Sequence, residues 1–300
     1  MAARTVAPGA IATVRFKQVD VFTSTPFKGN PLAVVFDADA LDDAAMRAIA
    51  HWTNLSETTF IVAPTDPGAD YRVRIFTPGG ELPFAGHPTL GTAHAFLEAG
   101  GQPKTPGKLV QQCGAGLVEL AERDGCWAFA APPARVTPLP ERDYPALAAA
   151  LRTESIDYAG MPPQAVDNGA PWLVVRLASA ADCLTLAPDY AALAPLAAAM
   201  DTHGVAVYGP HPAGGPATFE VRCLMLDDAF GAGEDPVTGS ANAAIAGLLA
   251  DAGRPPGSRY TARQGTAIGR DGRIGVEYDA GRIWIGGASV TVIDGRIRLR

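Results

Sequence analysis

The 300-residue chain predicts an α+β fold built twice, as two similar halves that each set short strands about one central helix. Three observations predict it. Pro88-x-x-Gly91-Thr92-Ala93-His94-Ala95 matches Pro236-x-x-Gly239-Ser240-Ala241-Asn242-Ala243 at a shift of 148 residues, half the chain. At the same shift Val73-Arg74-Ile75-Phe76 falls on Val221-Arg222-Cys223-Leu224, so a strand, a loop and a helix start repeat together. A weaker echo sets Asn30-Pro31-Leu32-Ala33-Val34-Val35 on Ala170-Pro171-Trp172-Leu173-Val174-Val175 at a shift of 140 residues, which a duplication with a length difference of eight accommodates.

In chain order, residues 1–13 carry one Arg and no apolar run of the length a secretion signal needs, and read as a loose tail. Residues 16–22, 31–36, 58–62 and 71–77 are short, β-rich runs bounded by Gly, Pro, Asn and Asp. Residues 42–52 predict a helix with Ala45, Ile49 and Trp52 on one face. Thr89 to Ala99 and its partner Thr238 to Ala252 are rich in Ala and Leu, lack internal Pro, and stop at Gly100 and Gly253 as helices commonly do. Residues 102–107 read as a loop, and the Pro-rich stretch 132–145 reads as the linker between domains at 14–135 and 146–300. Near the C-terminus, RIGVEYD, RIWIGG and SVTVI predict successive antiparallel strands joined by tight turns.

Composition narrows the function classes. The net charge is −7 with no Lys/Arg cluster, which gives no footprint for nucleic acid. No apolar run is long enough to span a membrane, and the cytoplasm is the default location. Cys113, Cys126, Cys183 and Cys223 form no C-x-x-C pair and have no His at ligand spacing, so they read as buried thiols and no metal site is expected.

The chemistry-bearing residues cluster at the repeated elements. Gly86-His87-Pro88-Thr89 and Gly233-Glu-Asp235-Pro-Val-Thr-Gly239-Ser240 each put a Gly-containing loop before a helix. Such helix starts expose unpaired N–H groups and a positive dipole end, which suit a carboxylate or phosphate, although ordinary capped helices look the same in sequence. Neither loop is a nucleotide signature: the second lacks the Walker A Lys, and Gly231-x-Gly233-x-x-Pro236 has Pro where the dinucleotide fingerprint needs Gly. His87 and Asp235 stand before the matched prolines, which predicts an imidazole and a carboxylate on opposite walls of one cleft. Asp235 would repel an anion, so a substrate amine, a hydroxyl or His87 is its expected contact. Glu57 lies in Asn54-Leu-Ser-Glu57-Thr-Thr-Phe, where the local pattern by itself reads as a capping or surface Glu, but a capping box should open a helix and Thr58 to Val62 reads as a strand, which keeps Glu57 a candidate for a cleft.

Gln18-Val-Asp-Val-Phe-Thr, Phe27-Lys-Gly-Asn-Pro-Leu-Ala-Val-Val, Asn54-Leu-Ser-Glu-Thr-Thr-Phe, Arg74-Ile-Phe-Thr-Pro, Glu81-Leu-Pro-Phe-Ala-Gly-His-Pro-Thr and Gly233-Glu-Asp-Pro-Val-Thr-Gly-Ser-Ala-Asn, with Gln264-Gly265 and Gly269-Arg270, together resemble the PhzF-like isomerase family of phenazine biosynthesis. The resemblance implies two diaminopimelate epimerase-like domains, each a β-barrel-like sheet around a central helix, with the site in the cleft between them. It implies Glu57 as the proton-transfer group, His87, Asp235 and Ser240 completing the site, and Gly86 and Gly239 lending backbone contacts. It also implies a homodimer, no cofactor, and a small anionic metabolite as substrate. In related racemases two cysteines act on opposite faces of the substrate carbon, and neither motif here holds one. A single-carboxylate tautomerisation follows, with an epimerase using Glu57 against His87 or Asp235, or a silent ligand-binding protein, as the alternatives.

Overall fold

Alternation of apolar and polar residues becomes alternation of burial, and the four β-rich runs of the first half form strands whose ends lie within three residues of where the sequence sets them. The computed structural model describes residues 13–226 and 233–299. Its first part comprises β1 (Thr13–Val21), β2 (Asn30–Val35), α1 (Asp43–Thr53), β3 (Thr58–Val62), β4 (Tyr71–Phe76), β5 (Glu81–Leu82), α2 (Gly86–Glu98), β6 (Lys108–Cys113), β7 (Gly116–Arg123) and β8 (Cys126–Ala130). The second part comprises β9 (Arg135–Pro138), α3 (Tyr144–Leu151), β10 (Gln164–Asp167), β11 (Trp172–Arg176), α4 (Ala180–Thr185), α5 (Tyr190–Ala199), β12 (Gly204–Pro210), β13 (Phe219–Met225), β14 (Gly233–Asp235), α6 (Gly239–Asp251), β15 (Arg259–Gln264), β16 (Gly272–Asp279), β17 (Arg282–Gly287) and β18 (Ser289–Arg298). The tail read over residues 1–13 lies outside the described residues except for Thr13, which opens β1, and so does Gly231.

Followed through its ladders, the sheet runs β18-β1-β2-β3-β4-β6-β7-β8 and then, across a central seam, β17-β16-β15-β13-β12-β11-β10-β9. The two short strands β5 and β14 hang on β4 and β13. This order reads the same from either end. Parallel pairs recur at matched places, β2 with β3 and β11 with β12, then β4 with β6 and β13 with β15. The predicted α+β class with two pseudo-symmetric halves, each a sheet around a central helix, is the observed one.

Each half wraps its sheet around one helix. Ten residues of α6 and nine of α2 are buried, nearly all of them small or apolar. A helix apolar on every side belongs inside, and its small residues let the strands approach closely. At Gly91 a methyl would meet Leu32 Cδ2 at 2.6 Å and Val21 Cγ2 at 2.7 Å, so the Gly in the repeated motif is a packing requirement.

Three expectations are corrected. The stretch 132–145 is not a plain linker: it holds β9, which pairs with β10, and the start of α3. The strand at SVTVI does not continue the C-terminal meander; β18 leaves β17 and pairs with β1. The boundaries 14–135 and 146–300 therefore miss an exchange in which each half's last strand completes the other half's sheet. In α1 the buried residues are Met46 and Ala50, and Trp52 is 80% exposed, because its position lies off the stripe that meets β3.

Candidate active site

Asp42 caps α1 by accepting from the Ala45 amide, and Asn54 ends it in the left-handed region at φ 53°. The chain then turns through Ser56 into β3, so Glu57 sits at the strand's entrance. A hydroxyl ladder fixes that entrance: Thr53 and Thr58 share a 2.9 Å hydrogen bond, and Thr92 of α2 donates to Thr59 at 2.9 Å. Glu57 is buried, and its Oε2 lies 3.3 Å from Nε2 of the equally buried His87. Among the described residues neither atom has a hydrogen-bond partner. Two unsatisfied polar atoms facing each other inside a protein mark a place where a third group completes the bonding.

His87 is the second residue of α2, whose cap position, Ala85, supplies no side-chain hydrogen bond. The start of α6 is equally uncapped, because Thr238 directs its hydroxyl elsewhere. The two helix starts meet: a methyl on Gly86 would come within 3.6 Å of Gly239 Cα, and one on Gly239 within 3.6 Å of Gly86 Cα. Two positive helix ends thus share one location. The quartet Gly86-His87-Pro88-Thr89, expected as a loop, is instead the first turn of α2.

The predicted pairing of His87 with Asp235 by symmetry is corrected. Strands β4 and β13 do repeat at 148 residues, since Ile75 faces Leu82 where Cys223 faces Asp235. The helices, however, begin at Gly86 and Gly239, 153 residues apart, because the connection before α6 is five residues longer. The counterpart of His87 is therefore Ser240, and that of Asp235 is Leu82. Asp235 still enters the same site, close enough for its charge to act on Glu57. Its Oδ2 accepts from Thr238 Oγ1 at 2.5 Å and its Oδ1 from Asn30 Nδ2 at 3.2 Å. Ser240 Oγ accepts from Trp172 Nε1 at 3.1 Å, which leaves the hydroxyl proton free to donate.

Burial pulls the three titratable groups apart. Loss of solvent, helped by the Asp235 carboxylate, pushes Glu57 up to about 8. Loss of solvent alone lowers His87 to about 3, so its imidazole is neutral. Asp235 is also raised by burial, but its bonds from Thr238 and Asn30 hold it to about 6. Cys223 lies across the ladder from Asp235, yet burial holds its thiol protonated. Cys113, Cys183 and Cys223 are buried as expected, and Cys126 is half-buried. Among the described residues no group of three or more His, Cys, Asp or Glu side chains could hold a metal ion, and no helix is long and apolar enough to cross a membrane.

The raised carboxyl has a consequence for stability. Glu57 holds its proton more tightly folded than unfolded, so its contribution is full below about 4.5 and is lost as pH rises through about 8. Glu57→Gln is therefore expected to raise Tm at pH 9 by several degrees, on the order of a few kcal/mol, and to leave it unchanged near pH 4. Calorimetry of both proteins across that range checks this; an equal offset at every pH would count against a raised Glu57.

Residues that sequence reasoning passed over include Asn30, Thr238, Trp172 and the buried pair Arg222–Glu234. The pair had a signal. Arg74 grips Glu81 in the first half with bonds of 2.7 and 2.6 Å, and Arg222 grips Glu234 at 3.1 and 2.7 Å, at matched places of the repeat.

Residues 19–295 match the family model described as phenazine biosynthesis-like protein, PhzC-PhzF. Antisense-enhancing sequence 1 of Schizosaccharomyces pombe is 37% identical over 294 residues, covering 94% of this chain and 97% of that one. Trans-2,3-dihydro-3-hydroxyanthranilate isomerase of Pseudomonas aeruginosa is 37% identical over 266 residues, or 87% of this chain and 88% of that one. The crystal structure of the Bacillus anthracis phenazine biosynthesis protein, PhzF family, superimposes with a TM-score of 0.84 at 23% identity, covering 96% of this chain and all of that one. With a matching motif series, a matching fold and a family match over almost its whole length, the chain belongs to the phenazine biosynthesis-like, PhzC-PhzF family, and it is an isomerase.

Proposed function

We propose that the protein tautomerises a small carboxylate-bearing substrate by intramolecular proton transfer through Glu57, with no metal or organic cofactor. The observation that carries this reading is a buried carboxyl raised to about 8, facing a neutral imidazole, where two uncapped helix starts meet. A group that must both take and return a proton works best with a pKa near the working pH.

In this reading the substrate carboxylate lies at the helix starts, held by N–H groups of the first turns at Gly86 and Gly239 and by the Ser240 hydroxyl. Asp235 accepts from a substrate amine or hydroxyl. Glu57 as carboxylate takes a proton from a saturated carbon; the C–H electron pair forms a new double bond, and the adjacent double bond shifts outward. The distal carbon then takes the proton back from Glu57, which regains its starting charge. Neutral His87 sits beside Glu57 and orients the shared proton without competing for it. Glu57, His87, Gly86 and Gly239 are buried and Asp235 and Ser240 half-buried, which limits access of water to the transferred proton.

By similarity to the relative acting on it, trans-2,3-dihydro-3-hydroxyanthranilate is the first compound to test. In heavy water the protein should convert it with deuterium appearing at the newly protonated carbon, in a fraction set by how fast the buried Glu57 proton exchanges with solvent. Absence of both conversion and exchange across a panel of small amino and hydroxy acids would defeat the proposal.

A further inference from the structure

Thr238 occupies the cap position of α6 but does not cap it. Its hydroxyl lies between Asp235 Oδ2 at 2.5 Å and Gln264 Nε2 at 2.9 Å. The direction of these bonds is fixed by Gln264, which is fully buried. Its Oε1 accepts from the Thr238 amide at 3.1 Å and from Asn242 Nδ2 at 3.0 Å, so its Nε2 must face Thr238 Oγ1 and the Asp235 carbonyl, the latter at 3.1 Å. Asn242 is itself anchored, with Nδ2 also donating to the Thr238 carbonyl at 2.9 Å. An amide nitrogen can only donate. Thr238 Oγ1 therefore accepts from Gln264, and its own proton goes to Asp235.

The other oxygen of Asp235 accepts from Asn30. Both oxygens thus receive protons, one from the Thr238 hydroxyl and one from the Asn30 amide, an arrangement that favours a carboxylate over a carboxylic acid. The charged and titratable groups around it are few. Glu234 precedes it on β14 and is tied off by Arg222; Cys223 faces it from β13; Glu57 and His87 approach from β3 and α2.

We infer that Gln264 and Thr238 are positioning residues, a one-way hydrogen-bond relay that keeps Asp235 a carboxylate and so keeps Glu57 a strong proton acceptor. The role rests on the proposed function of Glu57. Cutting the relay lets Asp235 take a proton, which removes the repulsion on Glu57 and makes it a weaker acceptor. Thr238→Val keeps the shape and loses the hydroxyl; Thr238→Ser keeps the hydroxyl.

Carboxyl titration by infrared difference spectroscopy reads this without a substrate, using Asp235→Asn and Glu57→Gln to assign the two signals. In Thr238→Val the Asp235 midpoint should rise and the Glu57 midpoint fall, each by about tenfold in proton affinity, the size that a hydrogen bond to a charged group ordinarily carries. Thr238→Ser should keep both midpoints. Unchanged midpoints in a folded Thr238→Val protein would overturn the relay. The same two variants assayed for isomerisation separate the two claims: a wild-type protein inactive on every compound defeats the Glu57 mechanism while leaving the titration readable, and a uniform loss of rate in Thr238→Val with no shift of the pH profile assigns Thr238 a structural role only.

Discussion

Glu57→Gln is expected to lower turnover by about 10²- to 10⁴-fold, the range carried by a positioned general acid/base, with little change in binding of a substrate analogue. Glutamine keeps the size and polarity of the side chain and removes the one proton-accepting state. Ligand contacts at the helix starts are untouched, so the loss should fall on kcat and not on KM. The wild-type protein should show kcat/KM rising with pH and levelling above about 8, where Glu57 is ionised. At pH 7 only about a tenth of the molecules carry the carboxylate. Steady-state rates of both proteins from pH 5 to 10, with calorimetric binding of a carboxylate analogue, check the set. Retention of more than about a tenth of wild-type turnover by Glu57→Gln would remove Glu57 from the mechanism.

Arg222→Met is expected to cost about 3–5 kcal/mol of stability, whereas Arg74→Met, its counterpart in the first half, should cost less than about 1 kcal/mol. The two ion pairs share their geometry, and the duplicated fold makes each a control for the other. They differ in burial. The side chains of Arg222 and Glu234 are 7% and 4% exposed, those of Arg74 and Glu81 21% and 39%. Removing Arg222 strands a carboxylate where water does not reach, and also frees the carbonyls of Cys183 and Leu186 that its Nη1 binds at 3.0 and 2.8 Å. Removing Arg74 leaves Glu81 and Asp43 to solvent. Urea unfolding of the two variants beside wild type measures the difference; equal losses would show that burial does not decide the strength of these pairs. Because Glu234 precedes Asp235, Arg222→Met should also lower activity by displacing the carboxylate.

Much of the fold was legible because local rules and tertiary demands agree. β3 and β17 occupy the very residues that the β-rich runs mark, and α1 begins at the residue its capping Asp42 dictates. The start of α2 was missed by three residues because Gly86, His87 and Pro88 carry no helix signal of their own; Pro is acceptable there only because the first turn needs no amide from it. The repeat of the strand register was readable, but the change from 148 to 153 residues was not. A second alignment on Pro88 and Pro236 satisfies the sequence as well as the true one on Pro83 and Pro236, and only the ladder partners Leu82 and Asp235 distinguish them.

The candidate site divides in the same way. His87 and Asp235 stood out in the chain by their places before the repeated prolines and Glu57 by a capping-box pattern that leads into a strand, whereas Ser240, Gly86 and Gly239, and the role of Glu57, came from the resemblance of the motif series. Their arrangement came from contacts between residues far apart in sequence: Glu57 with His87, Gly86 with Gly239, Asn30 with Asp235 across 205 positions. By itself the sequence determined a duplicated α+β chain and those strands and helices whose pattern is local, since these follow from periodicity along one strand or helix, and its motif series named the candidate site residues by resemblance. The tertiary structure alone decided that β9 and β18 are exchanged between the halves, that His87 answers to Ser240, and that Glu57 is raised. The reason is that burial, charge proximity and hydrogen-bond direction are properties of neighbours in space, and no local pattern encodes which distant neighbour a residue will meet.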